Sequence, residues 1–261
     1  MFGQSLLSAF DAAPPLVPAD NFNTVLYNGN GGTQSITSVG FAPDFTWIKS
    51  TTLAVDHAAF DTVRGATKYL SPSTTGAEGT YSTVLNAFGS NGFTVGSNAG
   101  VNFSGQTYVS WNWKAGGTAV SNTDGTITSQ VSANVYAGFS VITYNGATNA
   151  TADTSNNGGA YWSVAHGLGA APDLVFVKKR NGAGGWYVGG AALGSTGANG
   201  NHLVLNDSAA QVGEANILWG GSQTFNATTF GLGGWDVVNR NGDSYLAYCF
   251  TSKPGMSKVG S

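Results

Sequence analysis

Charge is what this sequence has least of. Only 9% of its 261 residues are Asp, Glu, Lys or Arg, against roughly 25% in an average soluble protein. The formal net charge is −3 and no block of Lys or Arg occurs. Without a cluster of cations to neutralise several phosphates, nucleic-acid binding is excluded. Cys249 is the one cysteine, so no intrachain disulfide can form. The three histidines, His57, His166 and His202, are not paired at an i, i+4 spacing. Metal sites need clusters of His, Cys or carboxylates, so neither a metal nor a cofactor is expected. Phosphate-binding loops, GxGxxG, Asp-rich calcium loops and Gly-x-Ser-x-Gly are all missing. No run approaches the roughly 20 apolar residues of a membrane span. Met1–Phe10 lacks the basic start and the long apolar run of a signal peptide. No stretch sustains the apolar period of a substantial helix.

What is present is glycine, aromatic rings and self-similarity. The 39 glycines are about twice the usual share of roughly 7%. Hydrophobic residues at 41% and aromatics at 12% suffice for packed cores. Phe93-Thr94-Val95-Gly96 matches Phe230-Gly231-Leu232-Gly233 at an offset of 137. The same offset carries Asn102 to Asn239, Gly105 to Gly242, Tyr108 to Tyr245 and Trp111 to Tyr248. Tyr27-Asn28-Gly29 matches Tyr144-Asn145-Gly146 at 117, and Pro43-Asp44-Phe45 matches Pro172-Asp173-Leu174 at 129. Offsets that grow in steps are those of fixed strands joined by lengthening loops.

The pattern predicts an all-β chain of two tandem antiparallel β-sandwich repeats, jelly-roll or lectin-like, after a short arm. Residues 1–21 form the arm, stiffened by Pro14, Pro15 and Pro18. The repeats occupy 22–117 and 138–254, with a linking hairpin over 118–137. Residues 255–261 fall on the opening of the second repeat, which predicts a third repeat beyond Ser261. Asn-Gly recurs at Asn28, Asn91, Asn145, Asn181 and Asn241, suiting tight hairpin turns. Gly105 and Gly242 mark a turn needing positive φ. Phe45–Ile48 and Leu174–Val177 are apolar on both faces and belong inside a sheet. In Tyr108–Lys114 the alternation predicts Val109, Trp111 and Trp113 facing a core. Leu246, Tyr248 and Phe250 do the same in the second copy, giving two separate but equivalent cores.

Candidate functional residues are few. No catalytic residue is assigned. Asp56, His57 and Asp61 lie close in sequence, but a loop of mutually satisfied polar groups explains them better than acid/base work. Asp61 and Arg64, in Asp61-Thr62-Val63-Arg64-Gly65, read as a pair that pins a loop. Trp186, Tyr187 and Trp162 sit in glycine-rich segments and are candidate sugar-binding rings. Trp219 and Trp235 read as caps on a core. Leu6, Leu7 and Phe10 give the arm an apolar side for docking.

Several strings resemble one known family: Gly40-Phe41-Ala42-Pro43-Asp44-Phe45-Thr46-Trp47-Ile48-Lys49, Asp61-Thr62-Val63-Arg64-Gly65, Tyr108-Val109-Ser110-Trp111-Asn112-Trp113-Lys114 and Tyr245-Leu246-Ala247-Tyr248-Cys249-Phe250. They resemble repeat proteins encoded by marine bacteriophages, over nearly all of 22–261. The resemblance implies a β-sandwich module of virion appendages such as tail fibres, with no catalytic residues to carry over. It implies location on the phage particle, other virion proteins as partners through residues 1–21, a host-surface glycan as a further partner, and a homo-oligomer, a trimer by analogy. A head decoration protein is the alternative. A glycan-degrading enzyme needs a carboxylate pair in a cleft, and no acidic pair recurs between the repeats.

Overall fold

The computed structural model describes residues 16–148, 161–196, 199–213, 218–220 and 225–260. Leu6, Leu7, Phe10 and Ser261 lie outside the described residues. The described chain is nearly all β. Its first half holds β1 (Phe22–Asn28), β2 (Gln34–Ile36), β3 (Phe45–Ser50), β4 (Ala58–Asp61), β5 (Lys68–Tyr69), β6 (Gly79–Thr80), β7 (Leu85–Gly89), β8 (Gly92–Val95), one helical turn α1 (Ala99–Asn102) and β9 (Thr107–Trp113). Its second half holds β10 (Val120–Asn122), β11 (Ser129–Asn134), β12 (Phe139–Asn145), β13 (Trp162–Ala165), β14 (Leu174–Lys179), β15 (Trp186–Gly189), β16 (Leu203–Val204), β17 (Thr229–Leu232) and β18 (Ser244–Phe250).

Two main antiparallel sheets organise these strands, in the orders β1-β9-β3-β4 and β10-β11-β12-β18-β14-β15-β16. The strands apolar on both faces, β3 and β14, lie inside their sheets as the sequence predicts. Each main sheet also has a smaller partner on its outer face. The β2-β8-β7 sheet closes a core around Ile48, Phe60, Phe93 and Val95, and the β13-β17 pair closes one around Ile142, Val164, Val177 and Phe230. Residues 118–137 hold the expected hairpin, β10 against β11, but it does not stand apart from the second half. Their strands β10 and β11 extend the second main sheet through β12.

The same bonds tie both halves. Tyr27 stacks on Tyr108 at 5.3 Å, and Tyr144 on Tyr245 at 5.2 Å. The Tyr27 hydroxyl donates to Val101 O at 2.7 Å, the Tyr144 hydroxyl to Val238 O at 2.8 Å. Asn102, fully buried, accepts from Asn30 N, and Asn239 accepts from Ala147 N, both at 2.9 Å. Asp44 Oδ2 accepts from Ala115 N at 2.8 Å, Asp173 Oδ2 from Ser252 N at 2.6 Å. A buried N–H left without such an acceptor would cost about 1–3 kcal/mol. Gly105 and Gly242 have φ of +76° and +85°, with nothing near the place of a Cβ. Conformation, not space, requires glycine there.

The facing of β9 is the reverse of the sequence expectation. Tyr108, Ser110 and Asn112 are buried, while Val109, Trp111 and Trp113 are half-buried. The polar members are satisfied inside: Asn112 bonds Thr46 and the carbonyls of Asn23 and Ser110. The expected two separate cores are also corrected. Trp113 and Phe250, with Phe45, Phe139, Leu246 and Tyr248, belong to one shared cluster between the two main sheets. Phe45 and Tyr248 meet at 4.1 Å, and Trp113 meets Phe139 at 6.1 Å. The first main sheet is thus covered on its outer face and, at the Trp113 end, on its inner face as well, so alternation of size and polarity along β9 does not name its core side. Residues 253–257 form a tight turn closed by a Lys253–Ser257 bridge, not the opening of a strand like β12.

Candidate functional site

Asp61 ends β4 and Arg64 follows one turn later. Arg64 Nε donates to Asp61 Oδ2 at 2.5 Å, and Arg64 N donates to Asp61 Oδ1 at 2.8 Å. Neither side chain is exposed. The predicted loop pair exists, and it reaches further than the sequence told. The Tyr248 hydroxyl, from β18 of the other half, donates to Asp61 Oδ2 at 2.8 Å. Arg64 NH1 reaches Glu78 Oε2 at 3.2 Å and the Lys68 carbonyl at 3.1 Å. Glu78 in turn accepts two bonds from Arg180, both at 2.9 Å, and its backbone N–H donates to Arg180 O. Two cations and two carboxylates alternate, so every charge of this series faces its opposite.

The electrostatics follow from this order. Burial disfavours the charged Arg64 guanidinium, but Asp61, Tyr248 and Glu78 outweigh it and hold the proton more firmly than in free arginine. Burial pushes the Glu78 carboxyl up, yet hydrogen bonds from Arg180 and the nearby Arg64 bring it below the usual carboxylate range. Asp61 and Glu78 are both held in ion pairs with Arg64. The segment between Arg64 and Glu78 lies over the second half: Trp186 Nε1 donates to Ser71 O at 2.8 Å and Gly184 N to Thr75 O at 2.9 Å. The grouping is a clamp between halves. Arg180 and Glu78, which complete it, carried no motif in the sequence.

The candidate sugar-binding rings take other places. Trp186 is 1% exposed and stacks on Tyr248 in the shared core. Tyr187, the next residue on the strand, points to the opposite face and packs with His202 and Trp235. Trp162 is buried in the outer core of the second half. These three rings form no common exposed platform, and the proposed sugar site on them is corrected on that ground. Trp219 is fully buried and Trp235 half-buried, both against the core.

The histidines and the cysteine are spent on structure. His57 Nδ1 accepts from Trp47 Nε1 at 2.8 Å, and burial, then Lys49, lower its pKa. His166 is buried, its Nδ1 accepting from Leu168 N and its Nε2 facing Asn226 O; burial lowers its pKa too. Burial pushes the Cys249 thiol well above its ordinary value, away from the reactive thiolate. Asp56, expected in a satisfied loop, accepts from Ser73 Oγ at 3.2 Å. No group of three or more metal-ligating side chains occurs among the described residues. No helix among them is long and apolar enough to cross a membrane.

Residues 17–261 match one family, described as a domain of unknown function, DUF7483. The chain belongs to that family. The match spans both main sheets and the clamp, so the fused pair of sheets falls within one DUF7483 domain. No curated protein and no solved structure matches the chain.

Proposed function

We propose that this DUF7483 domain is a structural subunit of a bacteriophage particle, a rigid module of a fibre or other appendage. The observation behind the reading is the way its halves are joined. A third apolar cluster between the main sheets and a four-charge clamp, buried at Asp61 and Arg64 and half-buried at Glu78 and Arg180, lock them into one body. A protein whose work is to project and hold a shape benefits from such a joint. Its buried polar groups serve packing: Asp61, Arg64, Glu78 and Tyr248 satisfy one another. The surface is rich in uncharged hydrogen-bonding side chains, which keep their properties in salt water, where about half-molar salt screens exposed ion pairs. The resemblance of the Pro-Asp strands and the Asp61–Arg64 string to phage repeat proteins supports the setting. Attachment through residues 1–21 and a homo-oligomeric fibre belong to the same proposal.

Gold-labelled antibody against the domain, imaged on purified particles of the phage encoding it, tests the reading. Label along an appendage is the expected result. Label spread over the head favours a decoration protein instead, and particles without label overturn both.

A further inference from the structure

A cleft of about 550 Å³ opens on the first half, between the β3–β4 loop, β5, the chain after β6 and α1. Its floor is aromatic. Tyr81 is 51% exposed and Tyr69 half-buried, and the two rings meet edge to face at 6.0 Å. Two contacts locate Tyr81. It lies against Gly79, where any Cβ would collide with it. Its backbone N–H donates at 3.0 Å to the carbonyl of Thr67. Thr67 has φ +71°, the single positive value among described non-glycine residues. A β-branched residue there is strained, and such strain persists where the surroundings impose it, often at binding sites.

The polar groups at the cleft are partly unspent. Asp56 uses Oδ1 to accept from Ser73, leaving Oδ2 without a partner among the described residues. Asn98 uses Oδ1 to cap α1 through Gly100 N, leaving both Nδ2 protons. The Tyr81 hydroxyl has no partner among the described residues either. A carboxylate oxygen, an amide NH2 group and a hydroxyl thus line the cleft together with the tyrosine rings. Asp56 is the one charged residue lining the cleft.

We propose that this cleft is a binding subsite for a neutral pyranose unit of a surface glycan. The apolar face of the sugar covers the Tyr81 ring. Neighbouring hydroxyls, each a donor and an acceptor, meet Asp56 Oδ2, Asn98 Nδ2 and the tyrosine hydroxyl. A lone carboxylate with no cation at the cleft repels sulfated and uronic sugars, which sets the class. The volume suits one or two sugar units, so a single site binds weakly, at about millimolar concentrations, and repeated subunits on one particle supply avidity. The inference rests on the appendage reading for its purpose, not for its geometry.

Saturation-transfer NMR and titration on the full chain test it. The probes are neutral trisaccharides of glucose, mannose, galactose and N-acetylglucosamine, a sulfated galactan, an oligouronate and tetramethylammonium. At least one neutral trisaccharide is expected to bind, the acidic glycans not. Tyr81→Ala should weaken that binding by roughly tenfold or more. Asp56→Asn, which keeps the shape of a fully folded chain, should weaken it severalfold. No binding of any neutral sugar, binding unchanged by both variants, or binding of the sulfated glycan or the ammonium ion alone would overturn the proposal. Loss of the sugar site with gold label still on an appendage leaves the structural role standing. Sugar binding by a domain not found on particles does the reverse.

Discussion

Lys178 is the residue least comfortable in this fold. It is wholly buried, and its Nζ donates to the Lys179 carbonyl at 2.7 Å with no carboxylate beside it among the described residues. Burial, helped by the charge of Lys179, lowers its pKa from 10.5 to about 8. The unfolded chain therefore holds more protons than the folded one between those values, so this lysine favours folding more as pH rises. Lys178→Met should be more stable than the parent at pH 7. That advantage should shrink by about 3 kcal/mol by pH 11, at about 1.4 kcal/mol per pKa unit. Taking the difference between the two proteins cancels the opposing alkaline losses from Cys249 and the buried tyrosines, whose pKa values burial raises. Denaturant titrations of both proteins at several pH values measure it, and a difference that does not move with pH would contradict the assignment. In the sequence Lys178 reads only as the end of an apolar strand. Its burial depends on the sheet across from it, which no local pattern encodes.

At the scale of strands, much was legible and one thing was inverted. Bulky alternation placed β9 and β18, Pro-Asp marked the starts of β3 and β14, and Gly105 and Gly242 stand at positive φ as read. These features answer to local chemistry. The core side of β9 does not, because it is covered twice. Its small polar face packs into the outer sandwich, while the large rings meet the other half only at the Trp113 end. Further along, Trp111 lies half-open beside Trp47, and Leu26 across from Val109 is 75% exposed. The candidate rings part for a related reason: Trp186 and Tyr187 are consecutive on one strand, and period two puts them on opposite faces. Trp111→Ala should thus cost about 1–2 kcal/mol, well below the roughly 3–5 kcal/mol of a fully buried aromatic such as Tyr245→Ala. Equilibrium denaturation followed by far-UV circular dichroism compares them. An equal loss would mean that another body covers Trp111.

As a whole molecule, the chain should not behave as two beads on a string. The shared cluster and the Asp61–Arg64–Glu78–Arg180 series join the halves, and Tyr248 touches both charges of the first pair. One cooperative transition is expected, with near- and far-UV signals coinciding. Arg64→Met, which strands Asp61 and weakens the hold on Glu78, should lower stability by about 3–5 kcal/mol. Two resolved transitions in the parent protein would show that the joint does not couple the halves. The joint also has a geometric consequence. Phe22, at the start of β1, packs on Trp113 at 5.0 Å, and Trp113 meets Phe250, at the end of β18, at 6.2 Å. The chain therefore enters and leaves the β scaffold at the same pole. A tether pulled through both would not stretch the body lengthwise but would pry at β1 from its end, breaking its ladder to β9 rung by rung.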